Sequence, residues 1–287
     1  MFAVIDVGSN SVRLMLHDGY KTIDKEVKVT KLAEGLSNNS MLNAEAVERT
    51  ARAVSFFVDK AKNLGYNDVY VFATAAVRQA KNGMDFCDRV YNLCSVYVDV
   101  ISGEKEAILG LKGALSGADG SVLDIGGAST ELISVKKGKV VFCKSINLGA
   151  VRLLDESCGD KQLAEKIAFQ YLSELSTSDI NEFCTGIGGT VLSLSAILLE
   201  LDPYDRKLNH NNKITFDQIS ILKDRLFEMD VDKRRNLKGL QKERAEIIPY
   251  GAMILYVLMS ILDLKYVVTS ENDNLEGYLS LKRGLYE

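Results

Sequence analysis

The sequence predicts an α/β protein of two similar lobes with a ligand cleft between them, and three observations carry that prediction. The segment Ser121 to Ile133, SVLDIGGASTELI, repeats the pattern of Phe2 to Met15, FAVIDVGSNSVRLM. Each copy is followed by segments that alternate between strand-like and helix-like patterning. The 287 residues suffice for two domains that each bury a core. In the repeat, Asp6 pairs with Asp124, Gly8 with Gly126, Ser11 with Ser129 and Leu14 with Leu132. Each copy reads as a strand, a tight glycine turn and an antiparallel strand, with backbone N–H groups and a Ser hydroxyl turned inward at the bend. Ordinary hairpins share that shape, but they require neither the Asp before the turn nor the Ser after it. Two such loops facing one another would hold a chain of phosphates. The repeat places the boundary in 116–120, SGADG, giving lobes of residues 1–117 and 118–287.

In the first lobe, Lys21 to Leu32 alternates well enough for a third strand that closes a meander. Asn43 to Leu64 carries Ala46, Val47, Val54, Phe57, Val58 and Ala61 at helical spacing and stops at Gly65. Val69 to Thr74 is a buried strand, and the chain turns at Ala75 and Ala76 into a helix carrying Arg78. Asp85 to Cys94 reads as a helix, Val96 to Ile101 as a strand and Gly103 to Leu115 as a helix. The second lobe repeats the plan with a meander from Val122 through Val140 to Ile146, then helices at Lys161 to Leu175 and Thr190 to Leu199 flanking a strand at Ile180 to Cys184. Helices at Phe216 to Phe227 and Glu243 to Leu262, a strand at Tyr266 to Thr269 and a final helix around Leu275 to Lys282 complete it. A strand triplet followed by alternating helices and strands, occurring twice, is similar to the actin-like ATPase and sugar-kinase folds, whose ligand lies between the halves.

Composition narrows the chemistry. With 35 Lys and Arg against 39 Asp and Glu, the net charge of −4 argues against a nucleic-acid binder that works by bulk positive charge. A polyanionic ligand must instead be neutralised locally, by a few cations and a metal. Cys87, Cys94, Cys143, Cys158 and Cys184 form no CxxC pair and are odd in number, which suits core residues in a reducing cytosol. Only His17 and His210 are available, so a metal site must be built from carboxylates and hydroxyls, which suits Mg²⁺ or Mn²⁺. The N-terminus starts directly in a strand without a basic region ahead of an apolar one. The longest uncharged stretch, Ile247 to Leu262, is interrupted by Pro249 and is shorter than the roughly 20 residues needed to span a bilayer. The expectation is a soluble, cytoplasmic protein without membrane or nucleic-acid partners, and a buried helix for that stretch.

Five pieces converge on the expected cleft. Two are the facing loops, Gly8, Ser9, Asn10 and Ser11 against Gly126, Gly127, Ala128 and Ser129, where glycine admits a phosphate close to the backbone and free N–H groups supply donors. The third is carboxylate: Asp6 and Asp124 at strand ends, with Glu131 two residues past Ser129, able to hold Mg²⁺ through water. The alternative for Glu131 is a solvated strand residue, since alternation alone would put a polar residue there. The fourth is Ile101 to Ala107, ISGEKEA, with Ser102 as N-cap and Glu104 in the first turn as a partner of the helix dipole. Glu106 serves the same dipole or reaches the cleft as the base that orients an attacking water. The fifth is Gly186 to Thr190, GIGGT, read as a turn between strand and helix that offers Gly188, Gly189 and Thr190 to a phosphate. Lys233, Arg234, Arg235 and Lys238 form a basic group that guides a polyanion or is a solvated helix face.

The combination DVGSNSVRL, ATAAVR, ISGEKEA, DIGGASTEL, SINLGAVRL and GIGGT, in order from residue 4 to residue 190, resembles the exopolyphosphatase/guanosine pentaphosphate phosphatase family. The resemblance implies the two-domain actin-like fold and Mg²⁺-dependent hydrolysis of terminal phosphates from inorganic polyphosphate or guanosine pentaphosphate. It makes Glu106 the catalytic glutamate, Asp124 and Glu131 the acidic pair of the second loop and Arg78 the arginine of the ATAAVR motif, a phosphate ligand. It also implies a homodimer. Three departures stand out: Ala128 replaces a glycine, Lys31 stands where the family has Arg, and Ser270 to Gly277, SENDNLEG, lacks the usual Gly-Leu-Arg. Two other classes stay open: a kinase of the same fold, which would share the loops, and a non-catalytic sensor of phosphorylated guanosine nucleotides, for which the changes at Ala128 and Ser270 to Gly277 leave room.

Overall fold

The computed structural model describes residues 1–36, 40–175, 180 and 182–284. Hydrophobic alternation at the N-terminus forms an antiparallel meander of β1 (Phe2–Val7), β2 (Ser11–His17) and β3 (Thr22–Val29), to which β4 (Asp68–Ala73) and β5 (Val98–Val100) add in parallel, in the order β3-β2-β1-β4-β5. The second sheet repeats this. Its meander is β6 (Gly120–Ile125), β7 (Thr130–Lys136) and β8 (Lys139–Ile146), and β9 (Phe183–Ile187) lies parallel to β6. The edge strand β10 (Lys213–Thr215) and then β11 (Tyr266–Thr269) complete the order β10-β11-β9-β6-β7-β8. The shared strand order is the plan of the actin-like ATPase and sugar-kinase fold. Register places Asp6 opposite Arg13 and Asp124 opposite Glu131, one pair per lobe beside each β-turn.

The helices are α1 (Ala44–Asn63), α2 (Ala75–Gln79), α3 (Gly83–Cys94) and α4 (Gly103–Leu115) in the first lobe. In the second they are α5 (Ala150–Ser157), α6 (Lys161–Leu172), α7 (Gly188–Leu198), α8 (Arg206–Asn209), α9 (Phe216–Glu228), α10 (Val231–Arg235), α11 (Ile248–Ile261) and α12 (Asn274–Lys282). α1 starts where Asn43 accepts the Glu45 N–H at 2.8 Å. α11 is buried on almost every side, so the long uncharged stretch is core.

Three expectations are corrected. The strand expected at Ile180 to Cys184 lies at Phe183–Ile187, because β9 is a central strand paired on both sides, with Thr185 opposite Val122 and Val268; Asn181 falls outside the described residues. Gly186 is therefore strand, and Gly188 opens α7 directly at φ +77°. The helix expected from Glu243 begins only at Ile248 after a short 3-10 turn at Lys242–Arg244, since Pro249 fits only the first turn of a helix. Within SINLGAVRL, α5 was not foreseen; its Val151 and Leu153 are buried.

Two large clusters make most of the core, one under α11 and the other around Ile5, Leu14, Phe57 and Phe86, which also takes in Ala128, Ala150, Val151 and Ile247. The chain then doubles back: Leu275, Tyr278 and Leu279 of α12 pack on Val4, Met15, Phe72 and Leu109 of the first lobe, with Tyr278 stacked on Phe72 at 4.5 Å. Among the described residues no helix is long and apolar enough to cross a membrane.

Candidate active site

The two turns of the repeat are closed by the same bond, Gly8 N–H to Ser11 O at 3.0 Å and Gly126 N–H to Ser129 O at 2.9 Å. Asn10 O braces the first loop by accepting the N–H groups of Thr30 and Lys31. The second is braced by the start of α5, whose Ala150 and Val151 N–H groups reach Gly126 O and Gly127 O. The loops face one another so closely that a Cβ on Gly127 would lie 2.9 Å from Ser9 Cβ. Between them is a cavity of about 70 Å³ lined by both loops together with Asp6, Glu106, Asp124, Gly188, Gly189 and Thr190. Thus most of the residues singled out in the sequence come together. Arg78, Ala128 and Glu131 do not line the cavity: the Ala128 side chain packs into the apolar cluster around Ile5 and Leu14, Arg78 is bonded to Glu106 and Glu131 to Ser145.

Glu106 is buried in the first turn of α4, which Ser102 caps by accepting the Lys105 N–H at 3.1 Å. Arg78 donates to its carboxylate at 3.1 Å and to Ile101 O at 2.7 Å, so the guanidinium aims Glu106. Burial, then the charges of Glu131 and Asp124, lift the Glu106 carboxyl well above the usual range, against the pull of Arg78. Glu131 is only 2% exposed, which excludes a solvated strand residue. It accepts from Ser145 Oγ at 2.7 Å, and burial with Asp124 nearby pushes it up to about 7. Burial, together with Asp273 and Asp6, pushes Asp124 up to about 6, although Asn274 donates to it at 3.1 Å. Asp6 is engaged by Arg13, whose Nε lies 2.9 Å from Oδ2, while its Oδ1 is buried without a partner.

These oxygens fit a hard divalent cation in one specific sense. Among the described residues no three acidic, His or Cys side chains converge as a ready metal cage. Mg²⁺ does not need one, since it is commonly held by one or two carboxylates, water and substrate phosphate. The buried, mutually repelling carboxylates are the negative charge such an ion would neutralise.

Four contributors were not singled out in the sequence. Arg13 bridges Asp6 and Asp273, the latter at 2.6 Å. Asp273 and Asn274 open α12. Arg244 is buried, its Nε donates to Gln241 at 3.0 Å, and burial next to Arg13 brings it down to about 10. Arg13, Gly189 and Arg244 of the small cavity also line a second pocket of about 620 Å³, which receives Asp273, then Arg235 and Lys238 of the basic group, and Lys25, Arg206 and Lys242. Lys31 turns to Glu246, 2.6 Å away, rather than to either cavity.

The sequence model of the Ppx/GppA phosphatase family matches residues 11–281. A bifunctional 3-dehydroquinate synthase/phosphatase of Fusobacterium nucleatum subsp. nucleatum is 28% identical over 304 residues, covering 96% of this chain and 45% of its own length. The chain thus spans about half the length of that relative. The crystal structure of the Aquifex aeolicus member of the Ppx/GppA family superposes with a TM-score of 0.77 at 26% identity, covering 100% of this chain and 99% of that one. An exopolyphosphatase from Cytophaga hutchinsonii superposes with a TM-score of 0.86 at 20% identity, covering 99% and 98%.

Proposed function

The chain belongs to the Ppx/GppA phosphatase family, and from that premise we propose that it is a phosphoanhydride hydrolase that removes the terminal phosphate of inorganic polyphosphate or guanosine pentaphosphate. The observation that carries this reading is Glu106: a buried carboxylate, aimed by Arg78, at the wall of a small cavity made of two glycine loops. Phosphoryl transfer asks mainly for positioning and charge neutralisation, which loop N–H groups and a few cations supply.

In the proposed reaction the terminal phosphoryl group sits between the Gly8–Ser11 and Gly126–Ser129 loops, and the remaining phosphates lie toward Arg13 and Arg244 in the larger pocket. Glu106, ionised, takes a proton from water as its oxygen attacks phosphorus in line with the leaving phosphate. A raised carboxyl value makes Glu106 a stronger base at neutral pH than an ordinary glutamate. Asp124, with Glu131 behind it, would hold Mg²⁺ or Mn²⁺, which when bound neutralises charge on the phosphate oxygens. Arg78 opposes the rise at Glu106 and points its carboxylate, and so acts on the phosphate only through it.

The test is phosphate release by the purified protein with Mg²⁺, offered long polyphosphate, short polyphosphate and guanosine pentaphosphate side by side, with Glu106→Gln alongside. Release that the substitution abolishes establishes the hydrolase and names its substrate. Nucleotide binding without release from any of the three refutes it in favour of a sensor.

A further inference from the structure

We propose that Asp273 and Asn274, the residues that open the last helix, are positioning residues that set the acidic groups of both lobes from one point. They lie in the SENDNLEG stretch, where the chain departs from the pattern of its family. Asp273 holds Arg13 at 2.6 Å, and Arg13 in turn holds Asp6. The next side chain, Asn274, donates to Asp124 at 3.1 Å. One residue thus governs the carboxylate beside the first loop and its neighbour the carboxylate beside the second.

The platform under this pair is α4, the helix that carries Glu106. α12 lies on it with backbone almost touching backbone: a Cβ on Gly113 would collide with the Asp273 carbonyl, and one on Gly277 with the carbonyl of Leu109. Asp273 also caps α12, accepting the Leu275 N–H at 2.9 Å, while Glu276 accepts the Asp273 N–H at 2.9 Å. A cap needs only an acceptor; it does not need a second bond to a buried guanidinium in the other lobe. Asn274 is buried with its Oδ1 unpartnered, a cost that a purely structural position would shed by being apolar. Among the described residues the side chain's one hydrogen bond is to the cleft carboxylate of Asp124.

The kinetic arm of the test rests on the hydrolase reading, and the metal arm does not. Asn274→Leu keeps the bulk and removes the donor to Asp124. Asp273→Asn keeps a good N-cap and removes the charge facing Arg13. Glu276→Gln, on the same turn, retains the capping box and serves as the structural control. Titration calorimetry of the substrate-free protein with Mn²⁺ should show affinity weakened about tenfold in Asn274→Leu, the scale of losing a group behind a metal ligand. With polyphosphate and Mg²⁺, Asp273→Asn should lower kcat about tenfold with KM within about threefold, because Arg13 keeps its charge and loses its aim. Glu276→Gln should match the wild type in both. The proposal is overturned if both variants bind Mn²⁺ and turn over like the wild type, or if all three lose activity in step with melting temperature. A wild type that binds Mn²⁺ but releases no phosphate refutes the hydrolase alone, and the Mn²⁺ titration of Asn274→Leu still decides the positioning role. A wild type that neither binds Mn²⁺ nor hydrolyses overturns both.

Discussion

Glu131→Gln should stabilise the metal-free protein, and more so as the pH rises. The Glu131 carboxyl is lifted by burial from the ordinary 4.5 to about 7 in the folded state. A group whose folded value lies above its unfolded one favours folding most when both states are protonated. That contribution is lost as pH climbs from 4.5 through 7, because the unfolded chain gives up its proton first. The gap of about 2.5, at about 1.4 kcal/mol per tenfold, comes to about 3 kcal/mol in all, and most of the loss falls between pH 5 and pH 8. Gln has no charge to bury and its carbonyl can still accept from Ser145. Its advantage over Glu should therefore grow by about 2 to 3 kcal/mol between those two pH values. At roughly 2 to 4 °C per kcal/mol, the melting temperature of the variant should gain about 5 to 10 °C on the wild type from pH 5 to pH 8. Calorimetric melts of both proteins with a chelator present provide the reading. An equal shift at the two pH values would mean that Glu131 carries no trapped charge, and would remove the reason for a cation beside it.

Other perturbations read the same site from different sides. In Arg78→Met the carboxyl of Glu106 loses the charge that opposes its upward drift, so kcat at pH 7 should fall about tenfold or more and recover partly in alkaline buffer; a pH-independent loss would refute the aiming role. Arg244→Met removes a buried cation with no carboxylate bonded to it, so melting should hold or rise while KM for polyphosphate increases about tenfold, as steady-state kinetics would show. Added Mg²⁺ should raise the melting temperature more at pH 8 than at pH 5, since protons compete for Asp124 and Glu131 in acid. Gly277→Ala should cost about 1 to 3 kcal/mol by forcing α12 off α4, with thermal unfolding as the measure.

What the sequence disclosed and what it hid follow from the range of each interaction. The hairpins around Gly8 and Gly126 were legible because Asp, Gly and Ser fall within a few residues of one another and recur, so local patterning carried both loops and the acids beside them. Glu106 was legible for a related reason, being tied to the N-cap Ser102 four residues earlier. Glu131 could not be resolved from alternation, because β7 is buried on both faces and polar residues there mark satisfied buried positions rather than solvent. Within GIGGT only Gly186 departs from the expected turn, for a physical reason: it lies in a central strand between close neighbours, where the absence of a side chain serves packing. Arg13, Arg244, Asp273 and Asn274 act on residues of distant sequence, as when Asn274 meets Asp124, and no local pattern records that.

The two cavities account together for the preference for chain ends that the proposed reaction requires. About 70 Å³ lies within reach of Glu106 and about 620 Å³ lies next to it, the two sharing Arg13, Gly189 and Arg244 as lining. An internal phosphate of a polymer needs room for chain on both of its sides, and in the proposed reaction the close approach of Ser9 and Gly127 would block one of them. A terminal phosphate needs room on one side only, toward the two arginines. On that reading exclusion by the facing loops would do the selecting, and the arginines would supply only attraction. Weakening them should raise KM without exposing internal bonds, whereas opening the loops, as by Ser9→Gly, should let cleavage begin away from the ends of the chain. The lengths of the polyphosphate products on a gel distinguish the two, and a wild type that already yields short internal fragments would refute the argument.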